Sequence, residues 1–324
     1  MNNSCVIIGL GQIGMEYDYN HINKSVIYTH AHAINKHSNF RLLAAVDISS
    51  YQRKRFEERY SLPAYDNIEL ALKKFQPDLV IVATPTELHC SIIEEVIKSA
   101  KPKVILCEKP LAYKLGVAKN IVKMCKEKNI KLFVNYMRSV DNGVLEIKKR
   151  IDAGKIKVPI KANVWYSKGL FNNGSHFVNL LNFWLGDINS TSIINHGRSL
   201  KNFDHEPDFK IEYNLGTAIF RSTWEESFSH YSVELLSHSG RLFYDQGGKY
   251  IEWQSISEDQ DFQKYKILDE NKEIINNSID IYQWHVYNNI CMYLNGKVTT
   301  LCTGSEALET SNAIDLIMKQ IQKR

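Results

Sequence analysis

A chain of 324 residues, of which 44% are hydrophobic and 23% charged, has the composition of a globular protein and enough length to bury one large core or two smaller ones. The formal net charge is +4, and basic clusters such as those at 53–55 and 148–150 alternate with acidic or apolar positions. This spread is typical of solvated helix faces, so we expect no nucleic-acid partner. No uncharged apolar run approaches the ~18 residues of a membrane span, and we expect no membrane partner.

The six cysteines include no Cys-x-x-Cys pair, and several of them lie in apolar runs. Buried free thiols in a reducing compartment are the simplest interpretation. The first residues show no charged segment, apolar segment and cleavage site in succession, so we expect no signal peptide and a cytoplasmic protein. No spacing of cysteine, histidine and carboxylate residues predicts a metal site.

Strand and helix signals alternate along the first 136 residues. The strand signals are apolar throughout, which is typical of strands that are buried on both faces. Right-handed crossovers between such strands produce a doubly wound parallel sheet of the Rossmann type. We place strands at 6–8, 40–47, 77–85, 103–110 and 130–136, and helices directly after the first strand and at 50–61, 88–100 and 114–129.

The first strand ends in three glycines, Gly9, Gly11 and Gly14, with the spacing G-x-G-x-x-G. Between a strand and a helix this pattern lets the backbone approach a pyrophosphate, whereas without that context it is an ordinary turn. Asp47 ends the second strand, where a carboxylate can accept hydrogen bonds from ribose hydroxyls and repels a 2′-phosphate. This position favours NAD over NADP. The competing interpretation of Asp47 is a cap of the helix that follows.

The interval of 33 positions between Gly14 and Asp47 is longer than a simple βαβ unit requires, which is about 20. We therefore predict an inserted segment within residues 15–39, beside the cofactor. The pattern favours a surface loop. The alternative interpretation is that the segment forms a lid over the cofactor.

After residue 140, strand signals follow one another with turns and without helices between them, which predicts a mostly antiparallel sheet. Helix signals lie at 143–154, 175–186, 281–296 and 304–324, and strand signals at 160–167, 191–199, 209–215, 217–226, 231–238, 240–248 and 249–255. The predicted fold class is α/β, with a Rossmann domain at 1–125 and an α+β domain with an open sheet at 126–303. The helix 304–324 is expected to pack back on the first domain.

Polar residues follow the third and fourth strands, at the edge where a doubly wound sheet binds its ligand. The segment ATPTELH at 83–89 could line the nicotinamide side or form a plain turn. In CEKPL at 107–111, Lys109 could stabilise a developing alkoxide, or Glu108 and Lys109 could be a solvated charge pair. His176 lies near the start of an amphipathic helix and could transfer a proton near neutral pH, although a lone histidine is more often structural.

Taken together, GLGQIG, Asp47, ATPTELH, CEKPLA and NNGSHFVNLLNFWLG occur in the order found in the Gfo/Idh/MocA oxidoreductases, and the chain resembles that family over nearly its whole length. The tripeptide at 108–110 is its most specific element, and the G-x-H at 174–176 is the next. The resemblance implies a Rossmann domain, an α+β domain with an open sheet, and NAD bound between them. It also implies a small sugar, inositol or nucleotide-linked sugar as substrate, and a homodimer or homotetramer formed through the C-terminal sheet.

The resemblance also assigns roles to individual residues. The residues it implies for cofactor binding are Gly9, Gly11, Gln12, Ile13 and Gly14 at the pyrophosphate, Asp47 at the adenosine ribose, Thr84, Pro85, Thr86 and His89 near the nicotinamide, and Glu108 and Lys109 at the adjoining ribose. Lys109 and His176 match the catalytic residues of the family, and the bond before Pro110 is often cis in relatives. The residues expected to bind substrate are Asn135, Arg138, Asn172, Asn173 and His176.

The chain departs from the family pattern beside the histidine. Many members carry aspartate four residues before it and three residues after it, and here both positions are asparagine, Asn172 and Asn179. An aspartate could raise the basicity of the imidazole, whereas a neutral amide can only orient it. His176 would then be a weaker base, or the proton would pass mainly through Lys109.

We therefore expect an NAD(H)-dependent oxidoreductase that transfers hydride between nicotinamide and a secondary alcohol or its ketone, with Lys109 and His176 as acid/base groups. Two alternatives of the same fold stay open. One is an NAD-dependent glycosidase, and the other is a sensor that binds NAD without turnover.

Overall fold

The structure is a computed structural model that describes residues 2–20, 25–200 and 204–322. Contacts divide the chain into two compact units, Met1–Val140 with Asp280–Ser311 and Asp141–Ile279 with Asn312–Arg324. The helices, in chain order, are α1 (His30–Lys36), α2 (Ser50–Tyr60), α3 (Ile68–Phe75), α4 (His89–Ser99), α5 (Leu115–Glu127), α6 (Asn142–Asp152), α7 (Ser175–Leu185), α8 (Tyr282–Leu294) and α9 (Gly304–Gln322).

Two sheets contain the strands of the two units. The strands of the first sheet are β1 (Asn3–Ile8), β2 (Phe40–Val46), β3 (Ala64–Tyr65), β4 (Leu79–Val82), β5 (Val104–Cys107) and β6 (Lys131–Val134). The strands of the second are β7 (Ile160–Tyr166), β8 (Ile188–Ser199), β9 (His205–Tyr213), β10 (Gly216–Ser222), β11 (Ser232–Ser237), β12 (Gly240–Asp245), β13 (Tyr250–Glu258), β14 (Lys266–Leu268) and β15 (Glu273–Ile274).

The first unit contains the predicted Rossmann sheet. Its strands are all parallel and lie in the order β3-β2-β1-β4-β5-β6, so the order reverses beside β1, where such folds bind their ligands. Alternate residues of β1 enter different apolar clusters, with Val6 and Ile8 in one and Cys5 and Ile7 in the other. Both faces of the sheet are therefore covered, which confirms the prediction from the uninterrupted apolar strands.

The helix predicted directly after the glycines lies further along the chain. Gln12–Glu16 form one π-helical turn, and the regular helix α1 begins only at His30. The spacing between Gly14 and Asp47 is therefore filled mainly by residues 17–29, which separate the π-helical turn from α1. Within them, 21–24 lie outside the described residues.

Four elements were not predicted, β3 and α3 in the first unit and β14 and β15 in the second. A two-residue edge strand is too short to show a pattern. The start of α3 carries a recognisable signal, because the Asn67 side chain accepts a hydrogen bond from Leu70 N at 2.9 Å and so caps the helix.

The second unit contains an open sheet in the order β14-β13-β12-β11-β7-β10-β9-β8, with β15 beside β13. The pair β7–β10 is parallel and the other neighbours are antiparallel, so the predicted mostly antiparallel sheet is confirmed. Buried and exposed residues alternate strictly along β7. One face of the sheet therefore packs on the core with α6 and α7, and the other is exposed.

The contact-based units and the domain boundary expected at 125/126 differ in position. β6 pairs with β5 in the first sheet, and α8 packs against α1, so both segments lie in the first unit. In α9, Ala307 enters an apolar cluster of the first unit, while Ala313 and Ile317 enter the core of the second. The boundary at 125/126 stays a prediction about which segments fold together.

Each cysteine lies in the described part of the chain and is a free thiol, and all but Cys90 are buried. Among the described residues, no helix combines the length and the apolar character that crossing a bilayer requires.

Candidate active site

The three glycines of the turn after β1 differ in what a side chain at each position would meet. Gly9 has a φ of +100°, and a Cβ on it would lie 2.5 Å from Ala83 O, so only glycine allows β1 to approach the end of β4 this closely. A Cβ on Gly14 would overlap Gly9 O. A Cβ on Gly11 would meet no atom of the described residues within 4 Å. Gly9 and Gly14 are therefore packing glycines, whereas Gly11 presents bare backbone to open space, as the approach of a pyrophosphate requires.

The π-helical turn leaves backbone donors beside Gly11. Its first hydrogen bonds run from Met15 N and Glu16 N to Gly11 O, at 2.9 and 3.2 Å. The N–H groups at positions 12–14 precede the first donors of this turn and have no acceptor within it. Gln12 and Ile13 are also at least partly exposed, so both residues lie where a phosphate group could accept from the backbone.

Asp47 connects the end of β2 to the glycine turn. Its Oδ2 accepts from Leu10 N at 2.7 Å, and its Oδ1 accepts from Ser49 N at 2.8 Å. The cap of α2 is Ser49, whose hydroxyl accepts from Gln52 N. The interpretation of Asp47 as the helix cap is therefore wrong. The carboxylate is half-buried and has lone pairs left for a ribose.

The loop after β4 lies against the glycine turn. Thr84 Cγ2 is among the atoms that a Cβ on Gly9 would touch, and Thr84 Oγ1 is buried without a partner in the part of the chain that the structure describes. Pro85 is exposed, and Thr86 is half-buried in the short helical turn that follows it. Thr84 therefore borders the glycine turn, and Pro85 and Thr86 follow it in the chain.

His89 is the first residue of α4, directly after this loop. It is fully buried, with Nε2 3.0 Å from Thr84 O and Nδ1 3.1 Å from Leu111 O. Burial lowers the pKa of the His89 imidazole, which favours the neutral ring. Both ring nitrogens face backbone carbonyls, so His89 packs between the loops after β4 and β5, and its neutral ring donates to one of the two carbonyls. Its contact with the cofactor stays a prediction.

Glu108 and Lys109 follow β5, and the Lys109–Pro110 bond is cis. Glu108 is buried, and its Oε1 accepts from His30 Nε2 at 2.9 Å and from Asn135 Nδ2 at 2.6 Å. Its Oε2 accepts from Lys109 N at 3.2 Å. Burial raises the pKa of the Glu108 carboxyl, but the bonds and charges of its neighbours outweigh burial and hold the pKa below its usual range. Glu108 and Lys109 are thus not a solvated pair.

Asn135 and Arg138 follow β6, in the first unit. Asn135 Nδ2 donates to Glu108, while Asn135 Oδ1 is buried without a partner in the described ranges. Arg138 is buried in a short helical turn over Met137–Val140. Asn135 is therefore part of the Glu108 network, and only its carbonyl oxygen has capacity for a ligand.

The second unit carries His176 at the start of α7, directly after a π-helical turn over Leu170–Gly174. His176 and Asn179 are both buried and lie one helical turn apart on the same face, while Asn172 is exposed and Asn173 half-buried. The structure thus brings these four residues to one end of α7.

Two carboxyl groups fix the turn before His176. Asp204 Oδ1 accepts from Phe171 N at 3.0 Å, and Glu206 Oε1 accepts from Gly169 N at 3.2 Å. Burial raises the pKa of the Asp204 carboxyl. The short G-x-H pattern gave no sign of these carboxyl groups, because they lie about thirty residues further along the chain.

A parallel sheet with a glycine turn, a carboxylate after β2 and a Glu-Lys-cis-Pro segment after β5 defines the class of NAD-binding Rossmann proteins. A family model described as "Oxidoreductase family, NAD-binding Rossmann fold" (GFO_IDH_MocA) matches residues 3–136. Residues 3–136 therefore match the NAD-binding domain of the Gfo/Idh/MocA oxidoreductases. The match confirms the predicted family, the oxidoreductase class and NAD as the cofactor.

Solved structures resemble the whole chain. An oxidoreductase from Desulfitobacterium hafniense, described as NADPH-dependent, has a TM-score of 0.82 at 17% identity and covers 100% of this chain and 97% of its own. WlbA dehydrogenase from Bordetella pertussis, solved with NADH and UDP-GlcNAcA, has a TM-score of 0.76 at 18% identity. The match covers 100% of this chain and 97% of the dehydrogenase. An aldose-aldose oxidoreductase from Caulobacter crescentus, complexed with glycerol, has a TM-score of 0.78 at 16% identity. The match covers 100% of this chain and 98% of the oxidoreductase. At these identities the likeness shows the fold alone.

A protein from Vibrio parahaemolyticus that is described as a pre-16S rRNA nuclease is 40% identical over 48 residues. This match covers 15% of the present chain and 34% of that protein. The chain thus spans about a third of the length of the curated relatives it matches, and so short a match carries no activity over.

Proposed function

We propose that the protein is an NAD(H)-dependent oxidoreductase that transfers a hydride between nicotinamide and a secondary alcohol, or its ketone, of a sugar, an inositol or a nucleotide-linked sugar. The observation that carries the proposal is the Glu108-Lys109 pair at the end of β5, in a sheet whose glycine turn leaves Gly11 open to a ligand. The carboxyl ends of the strands are where this fold binds its ligands.

The residues of the first unit fit NAD. The open side of Gly11 and the backbone donors at 12–14 suit a pyrophosphate. The Asp47 carboxylate suits the two hydroxyls of the adenosine ribose, and it would repel a 2′-phosphate because like charges repel. Bound NAD(H) supplies the hydride acceptor or donor.

Lys109 would act on the substrate oxygen. Its Nζ donates a hydrogen bond to that oxygen and stabilises the negative charge that develops there during hydride transfer. The Glu108 carboxylate next to it in the chain has a pKa below the usual range, so it is ionised at neutral pH. A neighbouring negative charge favours the ammonium form of the lysine, which is the form that can donate.

His176 would move the proton. During oxidation of an alcohol the neutral imidazole takes the hydroxyl proton, and during reduction of a ketone the imidazolium returns it. Asn172 and Asn179 offer amides where an aspartate would add charge, so they orient the ring without stabilising the imidazolium as an anion would. Lys109 therefore takes a larger share of the acid/base work than His176.

A sugar-like substrate is supported by the polar groups at the candidate site. Asn172 and Asn173 are accessible at the turn before α7, and the carbonyl of Asn135 is without a partner among the described residues. Amides can donate to and accept from hydroxyl groups. Two of the similar structures, a dehydrogenase solved with UDP-GlcNAcA and an aldose-aldose oxidoreductase, point to the same substrate class.

The proposal includes a homodimer or homotetramer that forms through the exposed face of the second sheet, in the cytoplasm. Trp165 and Leu236 lie on that face with about two fifths of their surfaces exposed, at 40% and 44%. Large apolar side chains exposed on a sheet face are typical of an interaction surface. The free thiols agree with a reducing compartment.

One experiment separates the proposed function from its alternatives. The purified chain is incubated with NAD and a panel of sugars, inositols, nucleotide sugars and aryl glycosides, while the absorbance of NADH and the release of aglycone are followed. Net accumulation of NADH with an alcohol supports the oxidoreductase. Cleavage of a glycoside without net NADH replaces the proposal with an NAD-dependent glycosidase. Binding of NADH with neither reaction replaces it with a sensor.

A further inference from the structure

The first turn of α1 carries a histidine that none of the sequence motifs singles out. His30 is fully buried, and its Nε2 lies 2.9 Å from Glu108 Oε1. On the other side of the ring, Nδ1 lies 2.9 Å from Tyr287 Oη and 2.6 Å from Gln283 Nε2. The ring thus connects α8 to the carboxylate that precedes Lys109.

The hydrogen bonds of this network determine which nitrogen of His30 carries the proton. An ionised Glu108 can only accept, so His30 Nε2 carries the hydrogen. When Nδ1 carries no hydrogen, its single lone pair can accept from Tyr287 or from Gln283, but not from both. Burial raises the pKa of the Tyr287 hydroxyl, and the nearby charge of Glu108 adds to the effect, so this hydroxyl keeps its proton and remains a donor.

His30 and Asn135 together occupy one oxygen of Glu108 and leave the other to Lys109. Both donate to Oε1, while Oε2 accepts the backbone N–H of Lys109. A buried carboxylate without such donors takes up a proton, because burial disfavours the charged form. The titratable groups that interact with Glu108 are His30, Lys109, Cys107, His89, Tyr282 and Tyr287. Of these, His30 is the side chain that donates to the carboxylate.

Asp18, in the inserted segment, holds His30 in position. It is buried and accepts from Tyr28 N at 2.8 Å and from Thr29 Oγ1 at 2.6 Å, just before α1 begins, and from His32 Nδ1 at 2.9 Å. Burial raises the pKa of Asp18, but these bonds outweigh it and lower the pKa to about 2. The charge of Asp18 therefore fixes the first turn of α1, and with it the position of His30. Around Asp18 the inserted segment is packed into the first unit and is not a free surface loop.

We propose that His30 is a positioning residue that acts through Glu108: it keeps the carboxylate ionised and in one orientation, and thereby fixes the backbone and the charge environment of Lys109. The consequence for turnover rests on the proposed function, whereas the consequence for the amine of Lys109 does not. His30 itself makes no contact with a reacting atom in this proposal.

The reactivity of the Lys109 amine tests the proposal without a substrate. The purified full chain is labelled with trace acetic anhydride at pH 8, and mass spectrometry compares acetylation of Lys109 with that of the other lysines. In His30→Ala, Glu108 Oε1 loses one of its two side-chain donors, so the pKa of Glu108 rises and its anion is no longer fixed beside the Lys109 ammonium. We expect labelling of Lys109 to rise about three- to tenfold, because loss of an opposite charge increases the free-amine fraction.

Two further variants serve as rescue and control. His30→Gln keeps a neutral N–H donor, and we expect it to restore most of the wild-type labelling. His37→Ala removes another buried histidine at the opposite end of α1, which stacks on Trp284 at 5.2 Å and makes no hydrogen bond to Glu108 among the described residues. Its Lys109 labelling should match the wild type. The same rise in His37→Ala as in His30→Ala would overturn the proposal, and so would unchanged labelling in His30→Ala.

A double-mutant cycle keeps the test valid if His30→Ala folds poorly. Glu108→Gln removes the charge directly while preserving the shape of the side chain, so it should raise Lys109 labelling as His30→Ala does. If His30 acts through Glu108, adding His30→Leu, which removes the donor but keeps most of the volume, to Glu108→Gln should change the labelling no further, although His30→Leu alone should raise it. Independent, additive effects of the two substitutions would overturn the proposal.

Kinetics add a second readout once a substrate is found. A displaced Lys109 should lower kcat by about 10²-fold while the KM for NAD changes little, because misplacing a catalytic group by ~1 Å has an effect of this size. If the wild type turns over no substrate, the proposed function fails while the labelling result still decides the role of His30. If turnover is found and labelling does not respond to His30→Ala, the positioning role fails and the proposed function stands.

Discussion

Two buried carboxyl groups, one in each unit, have pKa values that move in opposite directions. Glu108 and Asp204 have almost the same exposed fraction, 8% and 9%. Burial raises the pKa of both side chains, and in Asp204 that effect prevails although backbone N–H groups donate to it. In Glu108 the hydrogen bonds and charges of His30, Asn135 and Lys109 outweigh burial and lower the pKa.

The difference shows that the extent of burial does not decide whether a carboxyl group in this protein stays ionised. Backbone N–H dipoles offset part of the cost of removing a charge from water, whereas a side chain that can itself be charged offsets more. The Glu108 region therefore keeps a negative charge beside Lys109. The turn before His176 is anchored in part by a carboxyl group whose pKa is raised by burial.

The difference between the two regions predicts that kcat depends more on Lys109 than on His176. Lys109→Ala should lower kcat by at least about 10²-fold, the usual cost of losing a positioned acid/base group, while NADH binding measured by fluorescence is retained. His176→Ala should lower kcat by a smaller factor, because amides replace the anions that would strengthen this base.

Lys101→Ala is the matched control for this pair, since Lys101 is an exposed lysine on the loop before β5. It should turn over substrate as the wild type does. A larger loss in His176→Ala than in Lys109→Ala would reverse the assignment of the acid/base work between the two regions.

Gly11 tests whether the first region holds the cofactor. Its φ of −71° is one that alanine adopts readily, and within the part of the chain that the structure describes the new Cβ would meet no atom within 4 Å. Gly11→Ala should therefore leave the melting temperature unchanged. It should weaken NADH binding by about tenfold, or 1.4 kcal/mol, because the methyl group occupies the space needed by the pyrophosphate.

Gly9→Ala is the contrasting variant, because its Cβ would lie 2.5 Å from a backbone oxygen at a positive φ. It should lower the melting temperature whether or not NADH is present. If Gly11→Ala bound NADH as tightly as the wild type, the glycine turn would be a packing feature alone.

The parts of the site that depend on local sequence could be predicted. Three parts of the site each occupy a short stretch whose chemistry is visible in its own residues. They are the first strand with its glycines, Asp47, and the Glu108-Lys109-Pro110 segment. The predicted sheet follows for the same reason, since apolar strands without alternation have to be covered on both faces.

The partners of these residues could not be predicted, because they are distant in the sequence. His30 is separated from Glu108 by 78 positions in the chain, an interval that includes β2 to β5. Asp204 lies between β8 and β9, far along the chain from the turn before His176 that it anchors. The length between Gly14 and Asp47 indicated an insertion, but no local pattern showed that Asp18 would bury its charge there. Tertiary contacts of this kind leave no periodicity in a single sequence.

The smallest expected effect concerns the pH dependence of stability, and it tests the comparison directly. A lowered pKa in the fold means that Glu108 stabilises the protein above the unfolded pKa of glutamate, about 4.3, and that this contribution is lost as the pH falls through the lower folded value. A raised pKa means that the contribution of Asp204 is fully present below the unfolded pKa of aspartate, about 3.9, and is lost as the pH rises through the folded value.

The free energy of unfolding is therefore measured in urea at pH 4, 5.5 and 7 for the wild type, Glu108→Gln and Asp204→Asn. The loss caused by Glu108→Gln should grow toward pH 7, and the loss caused by Asp204→Asn should shrink, each by on the order of 1 kcal/mol. Effects of shape and of neutral hydrogen bonds do not change with pH and cancel in this difference. Glu87→Gln, at an exposed carboxylate, should show no trend. Trends of the same sign at Glu108 and Asp204 would mean that burial, and not the donor set, decides the charge of both groups.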